Sequence, residues 1–327
     1  MLTLLPHWSK KAQIIELLTH QQISMINKFR GVGVALVTPF MANGAVDYPA
    51  LQRIIDYVIK NQVDYVVSLG TTGEAAVLNH TERHEVLDFT ITAVAGRVPI
   101  VAGFGGNSTR QVIAEIQQYH QNGIDAILTA SPYYNRPSQE GIFQHYMAIA
   151  DASQLPIILY NVPSRTASHI KSETTIRLMR SHKNIIGIKE ASNDITRLTR
   201  ILKSRRDDFV VLSGDDMYTL PILACGGAGV ISVVANALPR EFCAMVNFAL
   251  SNDYRKAQFW HYQLSELIVS LFSEGNPAGI KAALQVLNLC EDHLRLPLVN
   301  ISPELYTKIE TEVQKFRNSS SKYISQL

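Results

Sequence analysis

An α/β fold is what the sequence predicts, as a (β/α)8 barrel of the TIM-barrel kind followed by a three-helix C-terminal extension. Three observations predict it. Eight short apolar runs alternate with amphipathic stretches; a helix-to-strand junction recurs along the chain; and the span from 33 to 250 approaches the roughly 250 residues such a barrel takes.

The runs lie at 33–37, 65–69, 99–102, 126–129, 156–160, 185–189, 209–213 and 229–232. Continuous apolar strands of this length belong to a parallel sheet with both faces covered. Between them, 51–60, 82–95, 110–122, 141–150 and 174–180 carry apolar residues at helical spacing. Asn79-His80-Thr81-Glu82 and Asn107-Ser108-Thr109 supply helix starts. The junction Asn61-Gln62-Val63-Asp64-Tyr65-Val66-Val67 resembles Asn122-Gly123-Ile124-Asp125-Ala126-Ile127-Leu128, with a looser third copy at Gly226-Gly227-Ala228-Gly229-Val230-Ile231. A doubly wound open sheet is the alternative. Its glycine-rich turn would follow the first strand, where Thr38-Pro39-Phe40 stands instead. Helical segments at 254–272, 278–289 and 303–316 form an appended layer. The expected division is therefore an N-terminal extension at 1–28, a barrel at 29–250 and a helical layer at 251–327. The extension lacks the apolar core and cleavage site of a signal peptide. It reads as a short helical or disordered segment around 12–18, with Met25 as a second start.

With 327 residues, 46% hydrophobic and 18% charged, and a net charge of +2, the chain has ordinary globular composition. Nothing in that charge calls for a nucleic-acid or membrane partner. Cys225, Cys243 and Cys290 are odd in number and widely spaced, which argues for a reducing, cytoplasmic setting and against a disulfide framework or zinc site. No apolar run approaches the roughly 20 residues of a membrane span.

Chemistry in such a barrel collects at the C-terminal ends of the strands. The run at 185–189 ends on Lys189. Burial disfavours an ammonium ion and frees a neutral amine to attack a carbonyl; the bland reading is a lysine snorkelling to water. Gly70-Thr71-Thr72-Gly73-Glu74 follows the second strand, Ser131-Pro132-Tyr133-Tyr134-Asn135-Arg136-Pro137 the fourth, Tyr160-Asn161-Val162-Pro163-Ser164-Arg165-Thr166 the fifth and Ser213-Gly214-Asp215-Asp216 the seventh. Strands five and six are neighbours, so Tyr160 faces Lys189 and can shuttle protons. The threonine turn suits a small carboxylate, and Arg165 suits a second one by bidentate pairing. The bland readings are a core tyrosine and a surface ion pair.

Gly70-Thr71-Thr72-Gly73-Glu74, Tyr133-Tyr134-Asn135-Arg136-Pro137-Ser138-Gln139-Glu140-Gly141, the Tyr160–Thr166 stretch and Gly187-Ile188-Lys189-Glu190-Ala191 strongly resemble the 4-hydroxy-tetrahydrodipicolinate synthase (dihydrodipicolinate synthase) family. That family sits among the pyruvate-dependent class I aldolases with N-acetylneuraminate lyase, and the likeness runs from about 29 to 316. The resemblance implies a lyase of lysine biosynthesis that condenses pyruvate with L-aspartate 4-semialdehyde through a Schiff base on Lys189, with no other cofactor and no metal. It implies that Tyr160 moves protons through Thr71 and Tyr134, with Tyr134 entering the neighbouring subunit's site in a dimer that pairs into a homotetramer. It implies that Thr72 and the backbone of Ile231 hold the pyruvate carboxylate, that Gly214 lines the pocket and that Arg165 binds the semialdehyde carboxylate. Some family members bind lysine as a feedback inhibitor; the matching positions here include Ala75, Ala76, His80, Asn107 and Tyr133. Arg83 replaces a family histidine and Gln111 an acidic residue, so lysine inhibition is expected to be weak or absent.

Other signals are discounted. His80 and His84 lie four apart, but no third ligand accompanies them. Asp215-Asp216 reads as a helix cap rather than a magnesium site, Gly103-Phe104-Gly105-Gly106 as a turn, and Ser213 and Ser232 lack a histidine partner. The rival functions are a related pyruvate-dependent aldolase acting on another aldehyde and a non-catalytic barrel paralogue.

Overall fold

The computed structural model describes residues 28–119 and 122–324, so the expected N-terminal extension lies, but for Lys28, outside the described residues. Eight parallel strands close into one barrel in sequence order: β1 Gly31–Ala35, β2 Tyr65–Ser68, β3 Ile100–Gly103, β4 Ala126–Ala130, β5 Ile157–Asn161, β6 Ile185–Glu190, β7 Val210–Ser213 and β8 Gly229–Ser232. Each is followed by a helix: α1 Tyr48–Lys60, α2 His80–Val94, α3 Thr109–Gln118, α4 Gln139–Ala152, α5 Ser172–Ser181, α6 Ile195–Ser204, α7 Thr219–Ala224 and α8 Pro239–Leu250. The appended layer comprises α9 Tyr254–Ser273, α10 Ala278–Val286 and α11 Pro303–Ile324.

Local chemistry sets the helix starts. Asn79 and Glu82 form a reciprocal capping box on α2, the Asn79 side chain accepting from Glu82 N at 3.0 Å and Asn79 N donating to Glu82 Oε2 at 2.9 Å. Ser108 caps α3 by accepting from Gln111 N.

The recurring junction has a physical cause. Its aspartate bonds the preceding strand: Asp64 Oδ2 accepts from Val32 N of β1 at 2.7 Å, and Asp125 Oδ2 accepts from Ile100 N of β3 at 2.9 Å. The two closer copies thereby satisfy a donor at the base of the barrel that the ladder leaves open.

Apolar side chains fill two shells. An inner cluster inside the barrel includes Tyr65, Val67, Val101, Leu128, Ile158, Leu212 and Ile231, and a larger cluster packs strands against helices. The inner layers plug the barrel, which leaves its C-terminal mouth for chemistry.

α10 lies inside the appended layer, its residues from Ala278 to Leu284 all buried. The connection from α9 into α10 reaches the barrel mouth, where Asn276 meets Thr72. The sequence marked these helices as an appended layer; the contact makes that layer a wall of the site.

Candidate active site

Lys189 owes its direction to an irregularity in β6. The β5–β6 register runs Ile157↔Ile185 and then Ile158↔Gly187, so Ile186 is an extra residue on β6. Ile186 packs in the inner shell while Ile185 and Ile188 pack outside. A bulge reverses the alternation beyond it, so Lys189 pairs with Tyr160 and joins it facing the interior. Only glycine fits at 187, because a Cβ there would lie 2.5 Å from Val210 Cγ2 and 2.8 Å from Val210 O.

Lys189 is buried and its Nζ lies 4.5 Å from the centroid of the Tyr160 ring. The residues immediately after this pair lock the two strand ends together. Asn161 Nδ2 donates to Glu190 Oε1 at 2.8 Å, Ser192 N donates to the same oxygen at 2.8 Å, and Glu190 Oε2 is ion-paired with buried Arg197. Arg197 is anchored in turn by Nε to Ile170 O at 2.8 Å and Nη2 to Thr175 Oγ1 at 2.9 Å. Burial pulls its guanidinium down to about 9. Sequence reading passed over this network; its signal was a polar residue directly after each of Tyr160 and Lys189, inside apolar strands.

Gly214 sits against the lysine stem. A Cβ at Gly214 would lie 2.9 Å from Ala191 Cβ, 3.1 Å from Glu190 O and 3.1 Å from Lys189 Cγ. Gly214→Ala is therefore expected to keep the fold and to slow pyruvate-dependent borohydride trapping on Lys189 by roughly tenfold or more, since about 1 Å of misplacement can cost on the order of a hundredfold. Trapping at the wild-type rate would show that the stem is not held by this contact.

A cavity of about 440 Å³ opens over the pair. Lys189, Tyr160, Thr71, Arg165 and Tyr133 all line it, as do Glu74 and Asn276. Arg165 is exposed at its rim and forms no ion pair within the described residues. Thr72 is buried beneath the turn and accepts from Asn276 Nδ2 at 3.0 Å. Ile231 is buried in the inner shell and pairs with Gly33. Tyr134 stands apart: at φ +70° it is 85% exposed and does not line this cavity. Ala76 lines the cavity, while His80 and Asn107 are exposed.

The turn itself rests on a buried charge pair. Glu74, in the left-handed region at φ +51°, bonds Lys281 Nζ through Oε1 at 2.5 Å. Lys281 Nζ also donates to His293 O at 2.8 Å and lies 4.2 Å from the Phe40 ring centroid. Burial lowers the Lys281 ammonium from its ordinary value, and Glu74 opposes that.

Asp215 and Asp216 divide their tasks. Asp215 Oδ1 accepts from Met217 N at 3.0 Å and Tyr218 N at 3.4 Å, closing the local turn. Asp216 does not cap a helix as expected. It is buried and accepts from Val233 N and Val234 N, both at 3.0 Å, bracing the end of β8. Burial pushes its carboxyl up from 3.8 to about 6. Below the lower value both folded and unfolded forms are protonated; above the higher one both are charged and the burial cost is complete. Stability from this group is thus full at acid pH and falls by roughly 3 kcal/mol as pH rises through about 4 to 6. Asp216→Asn is expected to remove that fall from a denaturation profile taken across pH; an unchanged profile would refute it.

Among the described residues no group of three or more histidines, cysteines or acids could hold a metal, and no helix is long and apolar enough to cross a membrane. His80 Nε2 instead bonds Gln118 Oε1 at 3.2 Å and stacks near His84.

A closed parallel barrel with a buried lysine and a tyrosine at its C-terminal mouth is the architecture of a class I aldolase-type lyase. The family model described as the dihydrodipicolinate synthetase family matches residues 28–316, and the chain belongs to that family. It is 49% identical over 280 residues to a 4-hydroxy-tetrahydrodipicolinate synthase of Parabacteroides distasonis, covering 86% of this chain and 94% of that protein. A crystal structure of dihydrodipicolinate synthase from Aquifex aeolicus superposes with a TM-score of 0.86 at 40% identity, over 88% of this chain and 98% of that one. The chloride-inhibited synthase of Acinetobacter baumannii, complexed with pyruvate, superposes with a TM-score of 0.84 at 36% identity, over 87% and 98%.

Proposed function

We propose that this chain is a 4-hydroxy-tetrahydrodipicolinate synthase, condensing pyruvate with L-aspartate 4-semialdehyde in the diaminopimelate route to lysine. The observation that carries the reading is the buried Lys189, paired in register with Tyr160 beneath a cavity that also presents Thr71 and Arg165.

The Lys189 amine adds to the pyruvate carbonyl, and loss of water gives an imine. Tyr160 supplies a proton to the departing hydroxyl and takes one back, through Thr71 and a neighbouring subunit's tyrosine at position 134. Loss of a methyl proton leaves an enamine whose terminal carbon bonds the semialdehyde carbon, the aldehyde oxygen becoming a hydroxyl. The substrate amine then attacks the imine carbon, closes the ring and expels Lys189. Thr72 and the Ile231 backbone hold the pyruvate carboxylate, Gly214 gives the lysine room, and Arg165 takes the semialdehyde carboxylate by bidentate pairing. The exposure of Tyr134 in the single chain supports its contribution to a neighbour's site, in a homotetramer built as a dimer of dimers. The setting is cytoplasmic, and no cofactor beyond the covalent imine is needed.

The test is to incubate the protein with pyruvate, reduce with borohydride and locate the adduct by mass spectrometry. An adduct on Lys189 followed by product formation from the semialdehyde is expected. Absence of the adduct would refute the reading, whereas an adduct with turnover of a different aldehyde only would favour the related aldolase.

Ala76, His80, Asn107 and Tyr133 are the proposed effector positions, and a charged pair lies among them. Arg83, which lines the same cavity, places Nη1 3.1 Å from both oxygens of Glu115. With Glu115 engaged by Arg83 and Gln111 uncharged, the carboxylate that would pair with an ammonium ligand is missing. Millimolar lysine is expected to change the rate by less than about twofold; strong inhibition in a simple titration would overturn this.

A further inference from the structure

Asn276 reaches the cavity from the connection between α9 and α10, 204 residues away from Thr72 in sequence. We infer that it is a positioning residue, whose amide fixes the direction of the Thr72 hydroxyl proton so that it points at the carboxylate of a bound 2-oxo acid. The inference rests on the proposed function, since it takes that carboxylate as the ligand of Thr72.

A hydroxyl has one proton and two lone pairs. Asn276 Nδ2 donates into a lone pair of Thr72 Oγ1 at 3.0 Å. Within the described residues the Thr72 hydroxyl donates to no protein acceptor. With its lone pair engaged, the hydroxyl keeps its proton free for an incoming anion, where a threonine left alone could rotate and present oxygen to oxygen. Hydrogen bonds to a charged acceptor are the strong kind, so a fixed donor here selects 2-oxo acids over neutral ketones.

Asn276 is also held at a cost. It is only 7% exposed, and its Oδ1 is buried with no partner. An unsatisfied buried acceptor destabilises a fold, so packing alone does not account for an amide here. Its own segment pins it in place: Lys281, five residues on, grips Glu74 at the far end of the same turn, and Arg295 N donates to Glu74 Oε2 at 3.3 Å. The turn that carries Thr71 and Thr72 is thus clamped at Thr72 and at Glu74 by residues of the C-terminal layer.

Borohydride trapping on Lys189 gives the test, run over a concentration series of pyruvate and, in parallel, of acetone, which lacks the carboxylate. Asn276→Ala is expected to raise the half-saturating pyruvate concentration by roughly tenfold while leaving acetone trapping within about twofold. Asn276→Asp, of the same shape, draws the Thr72 proton to itself and adds a like charge. It should weaken pyruvate capture more than the alanine variant does, again with acetone spared. In a Thr72→Val background the Asn276→Ala change should add little to pyruvate capture, because the group it positions is gone. Equal losses for pyruvate and acetone, or full additivity with Thr72→Val, would overturn the inference and leave Asn276 a structural residue. If the unsubstituted protein gives no adduct with either ketone, the proposed function fails instead, which keeps the two outcomes distinguishable.

Discussion

Lys189→Met is expected to lower the condensation rate by at least about 10⁴-fold, the scale on which loss of a covalent nucleophile acts, and to abolish the borohydride adduct. Methionine is close to the lysine stem in length and volume, so packing against Gly214 survives and the loss reports the amine alone. Among the described residues no other lysine lines the cavity. Lys281 is the nearest rival in character, but its Nζ is held by Glu74 and the His293 carbonyl and it stands outside the lining. Rescue by another amine therefore has no source within the described residues. An adduct that persists in the variant and maps to Lys281 would move the nucleophile; an adduct lost with turnover retained would remove the imine from the mechanism altogether.

How Lys189 comes to face the cavity was only half legible in the sequence. An apolar run ending on lysine, beside a strand ending on tyrosine, was enough to bring the two together. Strict alternation through β6 would nevertheless have put Lys189 on the face opposite Ile186, and the extra residue at Ile186 is what reverses it. A glycine inside a strand is a known mark of a bulge, and Gly187 was that mark. The junction aspartates were visible as a repeat, yet their reason lay in a bond to the preceding strand that a local pattern does not contain. Contacts between distant parts of the chain were harder still. Asn276 with Thr72 and Lys281 with Glu74 are pairings that closure of the fold creates. Single-sequence periodicity carries no term for them. The C-terminal helices therefore read as an appended layer, whereas their first connection reaches the threonine turn.

That dependence predicts the largest stability effect in the molecule. Lys281 is 0% exposed and Glu74 4%, so Lys281→Met leaves the Glu74 carboxylate buried without its ion-pair partner and with the Arg295 N–H as its remaining hydrogen bond. Breaking a buried pair by removing one partner costs about 3–5 kcal/mol, a large share of the roughly 5–15 kcal/mol that a folded domain has. The double variant Glu74→Gln, Lys281→Met removes both charges and should recover most of that loss, because the Coulombic gain of a buried pair is largely offset by desolvation. Urea midpoints at unchanged slope would measure both effects. A single variant within about 1 kcal/mol of the parent would mean that the carboxylate finds water or protonates freely. A double variant as unstable as the single would instead mean that the ammonium stabilises the fold through the His293 carbonyl rather than through Glu74. The two results also bear on catalysis. If the double variant is stable but binds pyruvate poorly, the pair serves to hold the threonine turn in shape; if it binds normally, Asn276 is sufficient to set that turn.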